Sequence, residues 1–174
     1  MVNAARDAAF VALVDAQGTS LLRLATLLAG DPVSAEDLVQ GVLERTYRRW
    51  SQVRQAASPE AYLRAAVVNA ARRGWRLRSL GRERLVALVP EVLVTGGQSA
   101  AVVRHALLEA LQELTRQQRA VIVLRYFADQ SEAEVARLLG CSTGTVKAHA
   151  SRGLSRLRTD PRFAVSFDAA QESS

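Results

Sequence analysis

The sequence has few of the residues on which several classes of protein depend. Cys141 is its single cysteine, so no disulfide can form within the chain. One cysteine and two histidines, far apart in sequence, cannot complete a closed Cys/His zinc site. Aromatic residues make up only 5% of the chain, and alanine and leucine dominate, which favours helices over sheets. These shortages exclude a disulfide scaffold and a zinc finger, and they predict an all-α fold.

The sequence also lacks an uninterrupted apolar segment of membrane-spanning length. Asp7 and Asp15 interrupt the first apolar stretch, which therefore does not resemble a signal peptide. No apolar run reaches the ~20 residues that cross a bilayer. We therefore expect a cytoplasmic protein without membrane insertion.

Positive charge is what the sequence has in excess. Lys and Arg number 23 against 17 Asp and Glu, a formal charge of +6. This balance points to nucleic acid or another anionic surface as a partner. Between Arg64 and Arg84 there are seven arginines and one acid, Glu83. Since guanidinium groups bind phosphate oxygens in a bidentate manner, this cluster suits a nucleic-acid backbone.

The stretch from Ser131 to Arg158 predicts two helices joined by a tight turn. Ser131 with Glu134 forms the pattern of a capping box, Gly140 suits the left-handed end of the first helix, and Ser142 suits the cap of the second. Four apolar residues at helical spacing predict the buried side of the second helix: Val146, Ala150, Leu154 and Leu157. Its small and basic outer side suits a DNA major groove. An ordinary αα-corner is the alternative.

A change of composition divides the chain. Pro90 interrupts an apolar stretch, and residues 95–99 form a flexible, glycine-containing segment. We predict one domain over residues 1–84, a linker over 85–101 and a second domain over 102–174.

Two polar stripes stand out in the first domain. On a helix predicted from Ser34 to about Trp50, an acidic stripe is either a solvated face or a docking surface for a basic partner: Asp37, Gln40 and Glu44. On a helix predicted to start at Pro59, a second stripe shares one face: Asn69, Arg72, Arg73 and Arg76. An amide among arginines suits either a base edge or simple solvation. The nearby aromatics Trp50, Tyr62 and Trp75 suit either base stacking or the core.

Three stretches resemble the extracytoplasmic-function sigma factors of the bacterial sigma-70 family: DPVSAEDLVQGVLERTYRRW, PEAYLRAAVVNAARRGWR, and LTRQQRAVIVLRYFADQSEAEVARLLGCSTGTVKAHASRGLSRLR. Their order, the chain length and the two-domain layout also match that family. The resemblance implies a sigma-2 domain followed by a sigma-4 domain that ends in a helix-turn-helix. It implies a subunit that directs core RNA polymerase to promoter DNA, melts the promoter, and uses no cofactor or catalytic residue.

The resemblance also implies roles for individual residues. Docking on the clamp helices of the polymerase β′ subunit falls to Asp37, Gln40 and Glu44, and capture of the −10 element to Asn69, Arg72, Arg73 and Arg76. The resemblance implies that seven residues contact the −35 element: Thr143, Thr145, Lys147, Ala148, His149, Ser151 and Arg152. Within this set, Thr145 and His149 suit contacts with phosphates. Arg125, outside the set, also suits a phosphate. Thr115 with Gln118 forms the pattern of another capping box, which opens a helix predicted to include Phe127. The resemblance implies that this helix helps to dock the second domain on the β flap. The family is commonly restrained by an anti-sigma factor, which the residues of this chain do not identify.

Three glycines depart from the family pattern. Gly41 stands where the family often has an acidic residue, and it weakens the predicted helix. Gly74 predicts an early end to the arginine-bearing helix. The recognition helix carries Gly153 and has small residues, Ala148 and Ser151, at reading positions, so no promoter sequence is inferred from it.

The main alternative is an activator with a LuxR-type helix-turn-helix that binds duplex DNA as a dimer. Leu114-Thr115 fits that class, because sigma factors more often have Leu-Pro there. The arginine helix and acidic stripe of the first domain have no role in such a protein. A helical enzyme domain is disfavoured, because no nucleophile–base pair, phosphate-cradling loop or carboxylate pair is visible. A sigma-fold adaptor without promoter activity is a further alternative.

Overall fold

The computed structural model describes residues 2–80 and 98–161, with side chains over 7–75 and 103–161. The chain divides into two compact units, Met1–Ala87 and Leu88–Ser174. The described residues form helices and connecting turns without a strand, so the predicted all-α fold is confirmed. Most of the predicted linker lies outside the described residues, but residues 98–101 belong to a helix.

The first unit is built from α1 (Val2–Ala29), α2 (Pro32–Arg48), the short α3 (Trp50–Val53) and α4 (Pro59–Leu80). Helices α1, α2 and α4 pack against one another. Their shared core contains Leu21, Leu24, Leu28, Val42, Leu63 and Val67. Each such side chain stabilises the fold by about 1.5–3 kcal/mol when fully buried, so this core fixes which faces of α2 and α4 remain outside.

Helix α1 is continuous through Gly18. Its segment from Asp7 to Ala29 is long and apolar enough to cross a membrane by length and composition alone, which departs from the sequence expectation. Leu21, Ala25 and Leu28 of this segment are buried in the first unit. A core helix of a globular unit meets the same criteria, so this finding carries little weight.

Helix α2 begins earlier than the sequence predicted. Asp31, not Ser34, is the N-cap: its carboxylate accepts a hydrogen bond from the Ser34 backbone N–H at 2.7 Å. Pro32 takes the first helical position, where a missing N–H costs nothing. The helix ends at Arg48, and Trp50 starts the short α3.

Gly41 lies within α2 without interrupting it, so its replacement by alanine tests the local backbone. A Cβ there would meet the tip of the Arg45 side chain, with Nη1 at 3.2 Å, and a flexible tip can move. We expect Gly41→Ala to raise the free energy of unfolding of the first unit by up to about 1 kcal/mol, because alanine is the better helix former. Thermal denaturation measures this. A lower melting temperature would show that the Arg45 guanidinium is held where the methyl group must go.

Helix α4 begins at Pro59, as predicted. The Ser58 hydroxyl accepts a hydrogen bond from the Ala61 N–H at 3.1 Å. Hydrogen bonds from its own backbone N–H and from the Ser58 hydroxyl, together with nearby Arg64, hold the pKa of Glu60 below its ordinary value. The prediction that Gly74 ends this helix is wrong, since α4 continues to Leu80. The glycine is tolerated because Ala71, three residues before it, and Trp75, directly after it, are both anchored in the core.

The second unit contains α5 (Gln98–Gln112), α6 (Arg116–Ile122), a π-helical turn (Val123–Phe127), α7 (Glu132–Leu139) and α8 (Thr143–Arg158). The predicted capping box of Thr115 and Gln118 is confirmed at the start of α6. The sequence predicted one helix as far as Phe127, but its last turn widens, and the Ala128 N–H bonds to the Val123 carbonyl at 3.0 Å. Asp129 follows with a φ of 49°.

Helices α7 and α8 form the predicted helix-turn-helix. The capping box of Ser131 and Glu134 is present, and Gly140 has a φ of 65°, the left-handed conformation that glycine adopts freely. Ser142 caps α8 by accepting from the Thr145 N–H at 3.1 Å. The buried side of α8 contacts α6 and includes Gly153, so the opposite side of α8 faces outward.

Candidate nucleic-acid interface

The outward side of α8 carries most of the residues predicted to contact the −35 element. Thr143, Thr145, Lys147, Ser151 and Arg152 are exposed, and Ala148 and His149 are half-buried. The face therefore combines short hydroxyl side chains with two cations. Short side chains allow a helix backbone to approach base edges closely, and the cations supply hydrogen-bond donors.

His149 is placed less well for DNA than its neighbours. Its Nδ1 is buried and has no hydrogen-bond partner within the described residues. Thr145 is exposed, but its hydroxyl lies 2.9 Å from the Ser142 hydroxyl, so it also supports the helix cap. Both residues keep their predicted role as a hypothesis, and Lys147 and Arg152 are the stronger candidates.

Arg125, predicted as a phosphate contact, lies in the π-helical turn beside α7. One guanidinium nitrogen, Nη1, donates to the Gln130 carbonyl at 2.7 Å, and Nη2 lies 4.0 Å from the Glu132 carboxylate. The same carboxylate lies 3.7 Å from Lys147 Nζ. Sequence reasoning missed Glu132, although its place one residue after the Ser131 cap puts it at the edge of the helix-turn-helix.

Helix α4 carries the arginine stripe of the first unit. Asn69 and Arg73 are exposed and Arg72 is half-buried. Arg76 lies on the same helix, but its side chain falls outside the described ones. The buried side of α4 consists of Leu63, Val67, Val68, Ala71 and Trp75. One face of α4 is thus basic and outward while the other is fixed in the core.

Two of the three aromatics considered for base stacking are core residues. Trp50 is 3% exposed and Trp75 is 7% exposed. The Phe10 ring packs edge-on against Trp50, with centroids 5.3 Å apart. Only Tyr62, at 38% exposure, keeps a ring face available on α4.

The acidic stripe lies along the outside of α2. Asp37, Gln40 and Glu44 are all exposed. Gln40 Nε2 lies 3.4 Å from Glu44 Oε1, and Glu44 pairs loosely with Arg48 at 3.9 Å. Exposed pairs of this kind contribute about 0–1 kcal/mol, so the stripe stays available to a partner.

An open groove between α1 and α2 runs beside this stripe, and sequence reasoning did not identify it. It is lined by Phe10, Gly18, Leu22, Glu36, Val39, Gln40, Leu43, Glu44 and Tyr47. An apolar floor with an acidic edge suits an amphipathic partner. Within residues 7–75 and 103–161, no cluster of His, Cys, Asp and Glu is arranged to hold a metal.

Comparison with known proteins identifies the family. The model described as Sigma-70 region 2 matches residues 13–81, and the model described as Sigma-70, region 4 matches residues 104–157. The RNA polymerase sigma-E factor of Streptomyces coelicolor is 39% identical over 141 residues, which cover 81% of this chain and 79% of that protein.

Two further proteins are similar over most of the chain. ECF RNA polymerase sigma factor SigL of Mycobacterium tuberculosis is 33% identical over 160 residues, 89% of this chain and 90% of that protein. The sigma factor RpoE of Bartonella quintana, solved in complex with the anti-sigma factor NepR, has the same fold, with a TM-score of 0.64 at 24% identity over 83% of this chain and 91% of that chain. The two matched regions and these relatives place the chain in the sigma-70 family, as an extracytoplasmic-function sigma factor that acts in promoter-directed transcription.

Proposed function

We propose that the two units divide promoter recognition between them. The observation that carries this proposal is that α4 and α8 each bury one side in their own unit and turn a basic side outward. In the second unit, Lys147 and Arg152 read base edges of the −35 element in the major groove. Thr143, Thr145, Ala148, His149 and Ser151 complete that contact.

In the first unit, α4 captures the opened −10 element. Asn69 contacts an unpaired base, and Arg72, Arg73 and Arg76 bind the phosphates around it. Exposed Tyr62 is the one aromatic of α4 available for stacking in the described part of the helix. Because these contacts are largely ionic, promoter affinity falls steeply with salt concentration.

Surfaces other than the basic sides of α4 and α8 bind the polymerase. Asp37, Gln40 and Glu44 dock on the β′ clamp helices, and the helix capped by Thr115 contributes to contact with the β flap. The chain itself makes and breaks no covalent bond, and it acts in the cytoplasm, where the polymerase is. A negative regulator of the anti-sigma class is part of the proposal, supported by the solved complex of a sigma factor with this fold.

The proposed function is tested by reconstitution. Purified core polymerase with and without the chain is incubated with a pool of genomic fragments, and the transcript starts are sequenced. We expect starts downstream of a common two-part motif only when the chain is present. The LuxR-type alternative is not favoured, because the first unit also matches a sigma-70 region. The LuxR-type alternative predicts that the chain alone binds duplex DNA tightly and that no new transcript starts appear when it is added to core polymerase.

Arg152 provides a test of the −35 contact. We expect Arg152→Ala to weaken transcription from −35-dependent promoters about 5- to 150-fold, because a bidentate contact with a base contributes about 1–3 kcal/mol. Binding to core polymerase is expected to stay unchanged. Arg156→Ala is the matched control, because it removes the same charge from the same helix. Arg156 is not one of the proposed −35 contacts, and its guanidinium lies 3.8 Å from the carboxylate of Glu113, in the turn between α5 and α6. Equal losses from both variants would remove Arg152 from the reading residues.

A further inference from the structure

A single carboxylate lies between the two cations that border the helix-turn-helix. Glu132, the first residue of α7, has Oε2 at 3.7 Å from Lys147 Nζ and Oε1 at 4.0 Å from Arg125 Nη2. Lys147 belongs to the outward side of α8, and Arg125 to the π-helical turn. Both cations are proposed DNA contacts, so an acid at this position acts against the contact that its neighbours make.

The two cations are held to different degrees. Arg125 is anchored, because Nη1 donates to the Gln130 carbonyl at 2.7 Å and its guanidinium carbon lies 5.9 Å from the centre of the Tyr126 ring. The Lys147 side chain is 68% exposed, and Glu132 is its ionic partner. Lys147 can therefore leave the carboxylate for another anion while Arg125 stays in place.

Lys147 must leave the Glu132 carboxylate before it can contact DNA. On the −35 element it leaves for a base edge, and on an unrelated duplex, which offers no matching base, it leaves for a phosphate. The carboxylate also repels phosphates that come within the screening length, about 8–10 Å at physiological salt. Both effects act on any duplex, because Lys147 must be released whichever group it contacts and the repulsion concerns the phosphate backbone.

We infer that Glu132 is an intramolecular competitor that holds Lys147 in the free protein and lowers the affinity of α8 for duplex DNA. This rests on the proposed function, in which α8 contacts the −35 element. Its consequence is that phosphate attraction alone does not retain α8 on DNA, and productive binding depends on the base contacts and on polymerase. Alternatively, the Glu132 carboxylate accepts a hydrogen bond from a cytosine amino group. The experiment below distinguishes this base contact from competition for Lys147.

The experiment measures the affinity of the reconstituted holoenzyme for two duplex probes of equal length. One is the duplex that the wild-type holoenzyme selects from a random-sequence pool, and the other is an unrelated sequence. We expect Glu132→Gln to tighten binding of both probes about 1.5- to fivefold, the range that an exposed ion pair supports. For the unrelated probe, the plot of log affinity against log salt should become steeper by about one, because one more cation meets phosphate.

The matched control is Glu113→Gln. It removes the same charge and a similar ion pair, 3.8 Å to Arg156, and we expect it to leave both affinities unchanged. In a Lys147→Gln background, the gain from Glu132→Gln should shrink, because the lysine that the acid restrains is gone.

Each other outcome has a distinct meaning. If Lys147→Gln weakens binding but Glu132→Gln does not tighten it, the competitor is overturned while the proposed DNA contact stands. If Glu132→Gln weakens binding of the selected probe alone, Glu132 reads a base and the competitor is likewise overturned. If neither Lys147→Gln nor Arg152→Ala changes binding, the proposed function of α8 fails.

Discussion

Gly153→Ala is expected to destabilise the second unit by about 1–3 kcal/mol, the cost of forcing a methyl group into a packed core. A Cβ at Gly153 would lie 2.9 Å from Cγ1 of Ile122 and 3.3 Å from its Cδ1. Ile122 is 1% exposed, so it has little room to move away. The gain from replacing a helical glycine, at most about 1 kcal/mol, does not offset this. Because α8 presents the proposed −35 contacts, the loss of stability should also lower activity on −35-dependent promoters.

Hydrogen exchange in the full chain measures this effect unit by unit, because amide protection reports the local free energy of opening. Amides of α6 and α8 should exchange faster in Gly153→Ala, while those of α1, α2 and α4 should not change. Gly144→Ala is the control on the same helix: its nearest neighbour, the Ser142 hydroxyl, is at an ordinary 3.7 Å, so stability should stay equal or rise slightly. Unchanged protection in Gly153→Ala would mean that α8 does not pack closely on α6.

Asp37→Lys is expected to weaken the binding of core polymerase at least about tenfold, a loss of about 1.4 kcal/mol. Asp37 is exposed at one end of the acidic stripe, whose other members, Gln40 and Glu44, line the groove between α1 and α2. If the stripe meets a basic surface, reversing one charge replaces an attraction by a repulsion. Titration of labelled core polymerase with each variant measures the dissociation constant.

Asp15→Lys is the control for that prediction. It makes the same charge change in the same unit at an exposed position of α1, outside the acidic stripe of α2, and we expect little change in polymerase affinity. If Asp37→Lys and Asp15→Lys bind polymerase as the wild-type chain does, the acidic stripe is an ordinary solvated face.

The features predicted best from the sequence depend on neighbours in the chain. The capping boxes of Ser131 and Thr115, the left-handed Gly140 and the N-terminal Pro59 are all present. Each is decided by hydrogen bonds or backbone freedom within one turn of helix. Four-residue patterns therefore located the helix-turn-helix without any tertiary information.

The features missed depend on packing between helices. Gly74 does not end α4, because the core residues on both sides of it fix the helix. Gly153 allows α6 to approach α8 closely, because it has no side chain at the contact. Its position seven residues after buried Val146 is a signal of the buried face that was available in the sequence. The π-helical turn at Val123–Phe127 has no local pattern by which we could have predicted it.

The candidate site shows the same division. Helical spacing placed Asn69 and Arg73 on an outward face, and Lys147 and Arg152 on another. Spacing does not show which charges meet across the turn between helices, so the Glu132 carboxylate beside Lys147 was not foreseen. Helical spacing also does not show whether a tryptophan is buried or exposed, because the same spacing is compatible with either position.

Together with core polymerase, the chain is proposed to act on both duplex and opened promoter DNA. Footprinting the same promoter with a nuclease and with permanganate measures both contacts in one complex. We predict a protected upstream duplex segment and reactive unpaired thymines downstream, each requiring both the chain and the polymerase. Protection of the duplex by the chain alone, with no reactive thymines when polymerase is added, would contradict the account.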